Sequence, residues 1–93
     1  MPAPSLSQIV SHGAAVIRGL VEIGADPLGL AGATDSGEPV IAIAAPPPDI
    51  ARTLRPDRLW KVELAGRVVE EVFIARWRGC YVRWTVTHPI VLH

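Results

Sequence analysis

Three runs late in the chain, LWKVEL (59–64), VVEEVFIARW (68–77) and CYVRWTVT (80–87), are rich in β-branched and aromatic residues and are joined at Ala65-Gly66 and Arg78-Gly79. Runs of this kind, interrupted only by short Gly-containing joints, read as adjacent antiparallel strands. With so little chain between them, a three-strand meander is the arrangement this third of the molecule favours. In the last run Cys80, Val82, Trp84 and Val86 fall on one face, and Tyr81, Arg83, Thr85 and Thr87 on the other, because strand side chains alternate. A two-residue loop at Arg78-Gly79 sets Trp77 opposite Cys80, Ala75 opposite Val82 and Phe73 opposite Trp84, so the apolar positions share a side. A three-residue loop with Gly79 in a bulge would slip the pairing by one and turn Phe73 outward. The first register is preferred because it shelters Phe73 and Trp77. The same rule at Ala65-Gly66 places Leu64, Val62 and Trp60 on the sheltered side, with Val62 opposite Val69.

The meander needs a cover, and the N-terminal segment supplies one. Ser5 and Gln8 have the spacing of a capping box, in which each side chain satisfies a free backbone donor at a helix start. From there Leu6, Ile9, Val10, Gly13, Ile17, Leu20 and Val21 recur at three- and four-residue steps as one apolar stripe. Gly13 costs about 1 kcal/mol of helix propensity relative to Ala and is expected where the helix approaches a sheet closely. Gly24 is the expected C-cap, and Asp26-Pro27 the stop. Residues 28–38 read as a loop, or as a short edge strand ending in a turn at Asp35-Ser36-Gly37. PVIAIAA (39–45) is a nearly continuous apolar run, the pattern of a strand covered on both sides, and Pro46 to Pro48 end it. Asp49 is expected to cap one short helical turn reaching Leu54.

Together these elements predict one α+β domain over residues 1–93, with an N-terminal helix packed on one face of a mainly antiparallel sheet. That sheet has four strands, or five if 28–38 supplies an edge, and ends in the meander. A chain of 93 residues buries about three fifths of its unfolded surface, enough for one core and too little for two.

The face of the meander away from the helix carries Val68, Val72, Ile74, Arg76, Tyr81 and Arg83, an apolar centre framed by arginines and a tyrosine. Two readings compete for it. Either residues 46–57 fold over it, or it is innocently exposed apolar surface; alternatively it is a surface for a partner or a second copy, since interface cores favour Tyr and Arg around an apolar patch.

Little else in the chain points to chemistry. Nine basic residues balance nine acidic ones, so no net field draws the molecule to nucleic acid or to anionic membrane. No run approaches the roughly 20 apolar residues of a membrane-crossing helix, and no signal peptide is recognisable, so the expected location is cytoplasmic. Lys61 is the only lysine, and the abundance of Ala, Gly, Pro and Arg points to a GC-rich bacterial or mobile-element origin. Cys80 is the lone cysteine, which excludes an internal disulfide and reads as a small buried hydrophobe. Cys80 and His88 share a strand face but stand about 26 Å apart at 3.3 Å per residue, and His12 and His93 have no paired spacing, so no metal site is expected. The glycines of GLAG lack both the P-loop ending and the dinucleotide spacing. Ser11 and His12 are adjacent on a helix and do not face each other. Glu70 and Glu71 project to opposite sides of a strand and form no acid–base pair. Glu71 falls on the helix side near Trp60 and Val86, where enclosure would raise its pKa; the wet end of the sheet is the expected place for it.

The expected function is therefore a small non-enzymatic protein-binding module, an inhibitor or adaptor of bacterial mobile-element or phage type, that occupies a partner's surface without a cofactor. Its partner-binding residues are Val72, Ile74, Arg76, Arg78, Tyr81 and Arg83, with no catalytic residues. The alternatives are a nucleic-acid binder using the same Arg/Tyr strand face, and a small dimeric ligand-binding domain or enzyme. Self-association is expected through an exposed strand or the Arg-rich face.

Overall fold

A computed structural model describes residues 4–89. The chain runs α1 (Leu6–Glu22), β1 (Pro27–Ala33), β2 (Pro39–Ile43), α2 (Pro48–Leu54), β3 (Asp57–Leu64), β4 (Arg67–Trp77) and β5 (Cys80–Thr87). The five strands form one sheet in the order β1-β2-β5-β4-β3. All neighbours are antiparallel except β2 and β5, which run parallel. The α+β class and the helix packed on a mainly antiparallel sheet are as the sequence predicts, and segment 28–38 supplies the fifth strand at its N-terminal end.

The two-residue loop at Arg78-Gly79 is present, and β4 and β5 take the preferred register: Trp77 faces Cys80, Ala75 faces Val82, and Phe73 faces Trp84. Both loop residues have positive φ, 52° and 75°, as a type I′ hairpin requires. Arg is a poor residue for that conformation, and α1 supplies the compensation. His12 Nε2 donates to the Arg78 carbonyl at 3.0 Å, and the guanidinium lies over the Trp77 ring, 4.2 Å from its centroid. Gly19, one helix face with His12, makes room for both side chains, because a Cβ there would collide with the Arg78 guanidinium and the Trp77 ring.

The helix begins at the expected capping box, with Ser5 and Gln8 bonded reciprocally. Its buried side matches the expected stripe in part: Gly13, Ile17 and Leu20 hold, and Val16 and Gly19 join them. Gly13, Val16, Gly19 and Leu20 face inward, whereas Leu6, Val10 and Val21 are exposed. Two glycines fix the contact line: Gly13 lies against Leu30 and Pro39, and Gly19 against the hairpin loop. The core forms beneath this line from Val16, Leu20, Ile41, Ile43, Ala75, Cys80, Val82 and Trp84, with Phe73 stacked on Trp84 at 5.8 Å.

Three further expectations are corrected. β2 is covered on one side only: Ile41 and Ile43 are buried, while Val40 and Ala42 alternate with them on the other face, half-buried. α2 has Pro47 at its N-cap with no side-chain bond, and Asp49 lies inside the first turn. Its Ile50 and Leu54 enter the core, so segment 46–57 covers the same face as α1 and leaves the other open.

The third correction concerns β3. Leu64 pairs with Arg67 around the Ala65-Gly66 loop as expected, but a register break then sets Val62 opposite Glu70 and Trp60 opposite Val72. A second break, at Leu59, restores the original register, so Arg58 meets Phe73. Between the breaks Trp60 and Val62 point away from the helices, because cross-strand partners share a face. Val68, paired with Glu63, leaves the open face in the same way. Every residue of β3 is exposed, and the β3–β4 arm contributes to a radius of gyration of 15.0 Å, above the about 12 Å of a compact chain this long.

Candidate functional site: the open face of the sheet

With both helices on one side, the other side of the sheet is a surface assembled in rows by strand register. One row is Val40, Tyr81 and Arg76; the next is Ala42, Arg83, Ile74 and Asp57. Thr85, Val72 and Trp60 form a third, and Thr87, Glu70 and Val62 a fourth. The two-residue loop at Arg78-Gly79 and the parallel pairing of β2 with β5 are what bring the first two rows together.

Of the residues selected from sequence, Ile74, Arg76, Tyr81 and Arg83 share this surface. Arg76 is held in place: its Nη2 lies 2.7 Å from Glu38 Oε2 and its guanidinium sits over the Tyr81 ring, 5.6 Å from the centroid. The Glu38 contact is ionic rather than a directed hydrogen bond, and Oε2 has no other partner. Arg83 is exposed and makes no ion pair among the described residues. Val72 is on the correct face but only 1% exposed; flanked by Trp60 and Thr85, it packs within the sheet and offers a partner nothing to touch. Arg78 does not join the site, since its side chain lies on Trp77 and Gly19 at the helix side.

Sequence reasoning missed Val40 and Trp60. Trp60 is 43% exposed and adds a second aromatic ring to this face beside Tyr81; the register break between Val62 and Glu63 puts it there. A shallow groove of about 350 Å³ runs beside Tyr81, lined by Thr34, Asp35, Glu38, Val40 and Ile74. Another, about 310 Å³, opens where β2 ends, between Leu28, Ala42, Ala44, Arg83 and Thr85.

The titratable groups elsewhere are tied into local contacts. Glu71 is on the helix side, at the wet end of the sheet. It accepts from His88 Nε2 at 2.9 Å and from Arg58 Nη1 at 3.3 Å, and the His88 hydrogen bond is the main cause holding its carboxyl below the ordinary 4.5. Trp60, expected near it, is on the opposite face. Cys80 is fully buried, and desolvation pushes its thiol upward, which leaves little reactive thiolate. Among the described residues no three His, Cys, Asp or Glu side chains gather as metal ligands, and no helix is long and apolar enough to cross a membrane. His93 lies outside the described residues. No family model, curated protein or solved structure matches the chain.

Proposed function

We propose that this chain is a non-enzymatic protein-binding module, an inhibitor or adaptor of a bacterial cytoplasm, that acts by laying the open face of its sheet on a partner protein. The observation that carries the reading is the composition of that face. Ile74, Val40 and Trp60 present apolar area, Tyr81 and Arg76 are pre-positioned by their mutual contact, and Arg83 stands exposed beside them, with no ion pair among the described residues. Preordered aromatic and Arg side chains around apolar surface are the usual anchors of protein interfaces. The charge on the face favours protein over nucleic acid: Arg76 and Arg83 share it with Glu38, Asp57 and Glu70, and a mixed surface gives no phosphate-binding field.

The test is comparative capture from a bacterial lysate with the wild-type chain, the variant Arg83→Glu/Ile74→Asp and the control Arg18→Glu on the exposed side of α1. A protein retained by wild type and control but lost by the open-face variant is the expected result. Equal retention by all three would overturn the assignment. Salt-sensitive binding of single-stranded oligonucleotides by wild type, abolished in the same variant, would replace it with the nucleic-acid reading.

A further inference from the structure

β3 is an edge of the sheet, paired with β4 on one side only. Such a strand presents a row of unpaired backbone N–H and C=O groups, and long apolar edges are usually blunted. This one is eight residues long with every residue exposed, and it displays Leu59, Trp60, Val62 and Leu64. β1, at the opposite edge, has register irregularities on either side of its Gly29–Leu30 segment, a poorer template for pairing.

From Trp60 to Leu64 the strand alternates regularly. Trp60 and Val62 lie on the open face with Val72 and Glu70, and Leu64 follows by alternation. Lys61 and Glu63 lie on the helix side, their side chains 2.7 Å apart. The order Trp, Lys, Val, Glu, Leu is self-complementary about its centre.

We propose that two copies of this chain pair antiparallel through β3, with Val62 on the two-fold axis, joining the two five-stranded sheets into one. A two-fold axis perpendicular to the sheet keeps both open faces on the same side, so each residue meets one on its own face. Val62 then meets Val62 of the second copy, and Trp60 meets Leu64 of the second copy at both ends. On the helix side Lys61 faces Glu63 of the second copy, twice. Moving the axis to Lys61 or to Glu63 sets a charge against its own copy, which is unfavourable. The side chains thus select one register. A strand-edge contact is small by the standard of permanent dimers, so the association is concentration-dependent. It does not rest on the partner proposed for the open face.

Sedimentation velocity across a series from micromolar to sub-millimolar protein tests this. The wild-type mass moves from 10.0 kDa to twice that value. Lys61→Glu and Glu63→Lys each create two like-charge pairs across the axis and weaken the dimer roughly tenfold. An equimolar mixture of these two variants restores it, because each substituted position then faces its opposite charge. Arg83→Glu leaves the dimer unchanged, which separates this interface from the open face. A wild-type chain monomeric throughout, a dimer indifferent to both single variants, or a mixture no tighter than its components would each overturn the proposal. Both substituted side chains are exposed, and far-UV circular dichroism of each variant confirms that folding is retained.

Discussion

The two faces of β5 are drawn from the same eight residues and have opposite fates. Cys80, Val82 and Trp84 are enclosed beneath α1 and α2, whereas Arg83 and Thr85, their immediate neighbours, are exposed. The difference is one of coverage more than of strand chemistry. β4 shows this at Ile74, as apolar as Phe73 yet on the face that neither helix crosses, whereas Val72 on the same face is closed off by its neighbours Trp60 and Thr85. Where this protein places its helices therefore decides which apolar residues stabilise the fold and which remain available for contact.

The contrast can be broken by substitution. The largest effect is expected at Trp84→Ala, which removes a buried ring stacked on Phe73 and costs about 3–5 kcal/mol in urea unfolding. Val72→Ala should cost about 2 kcal/mol, because this residue is enclosed by its neighbours although it belongs to the open face; a cost near zero would mean that this face has no packed spot. The smallest effect is in the pH profile. Glu71 is held below its ordinary 4.5 in the folded state by the hydrogen bond from His88. Its contribution is present above that ordinary value and is lost as pH falls through the lowered one. Glu71→Gln should therefore lower the urea midpoint slightly at pH 6 and by less at pH 3. An equal loss at both pH values would assign Glu71 a role independent of its charge.

What the sequence reveals here follows from the distance over which each signal acts. The capping box at Ser5 and Gln8 and the β4–β5 register are legible because each is set within a few residues. The inward face of β5 follows from that register and from simple alternation. By contrast, no local signal announces that PVIAIAA pairs with a strand forty residues later and parallel to it, so the half-open state of β2 is not legible. Register breaks at Val69 and Leu59 leave no composition mark, and each turns a set of side chains over; Trp60 is misplaced for this reason alone. The helix stripe is legible at Gly13, Ile17 and Leu20 and misleads at Leu6 and Val10, which match its period but are exposed. In the sequence Arg78 is one arginine among several, and nothing near it in the chain announces that His12, Trp77 and Gly19 claim it for the turn.

The parallel pairing of β2 with β5 has a temporal consequence. β5 comes last among the five described strands, yet it lies between β2 and β4 at the middle of the sheet. A nascent chain that has not yet released Cys80–Thr87 holds two separate ribbons, β1 with β2 and β3 with β4, with no strand pairing between them. Completion of the hydrophobic interior thus waits until β5 has been synthesised, and until then each half exposes to its surroundings the flank that this strand will occupy.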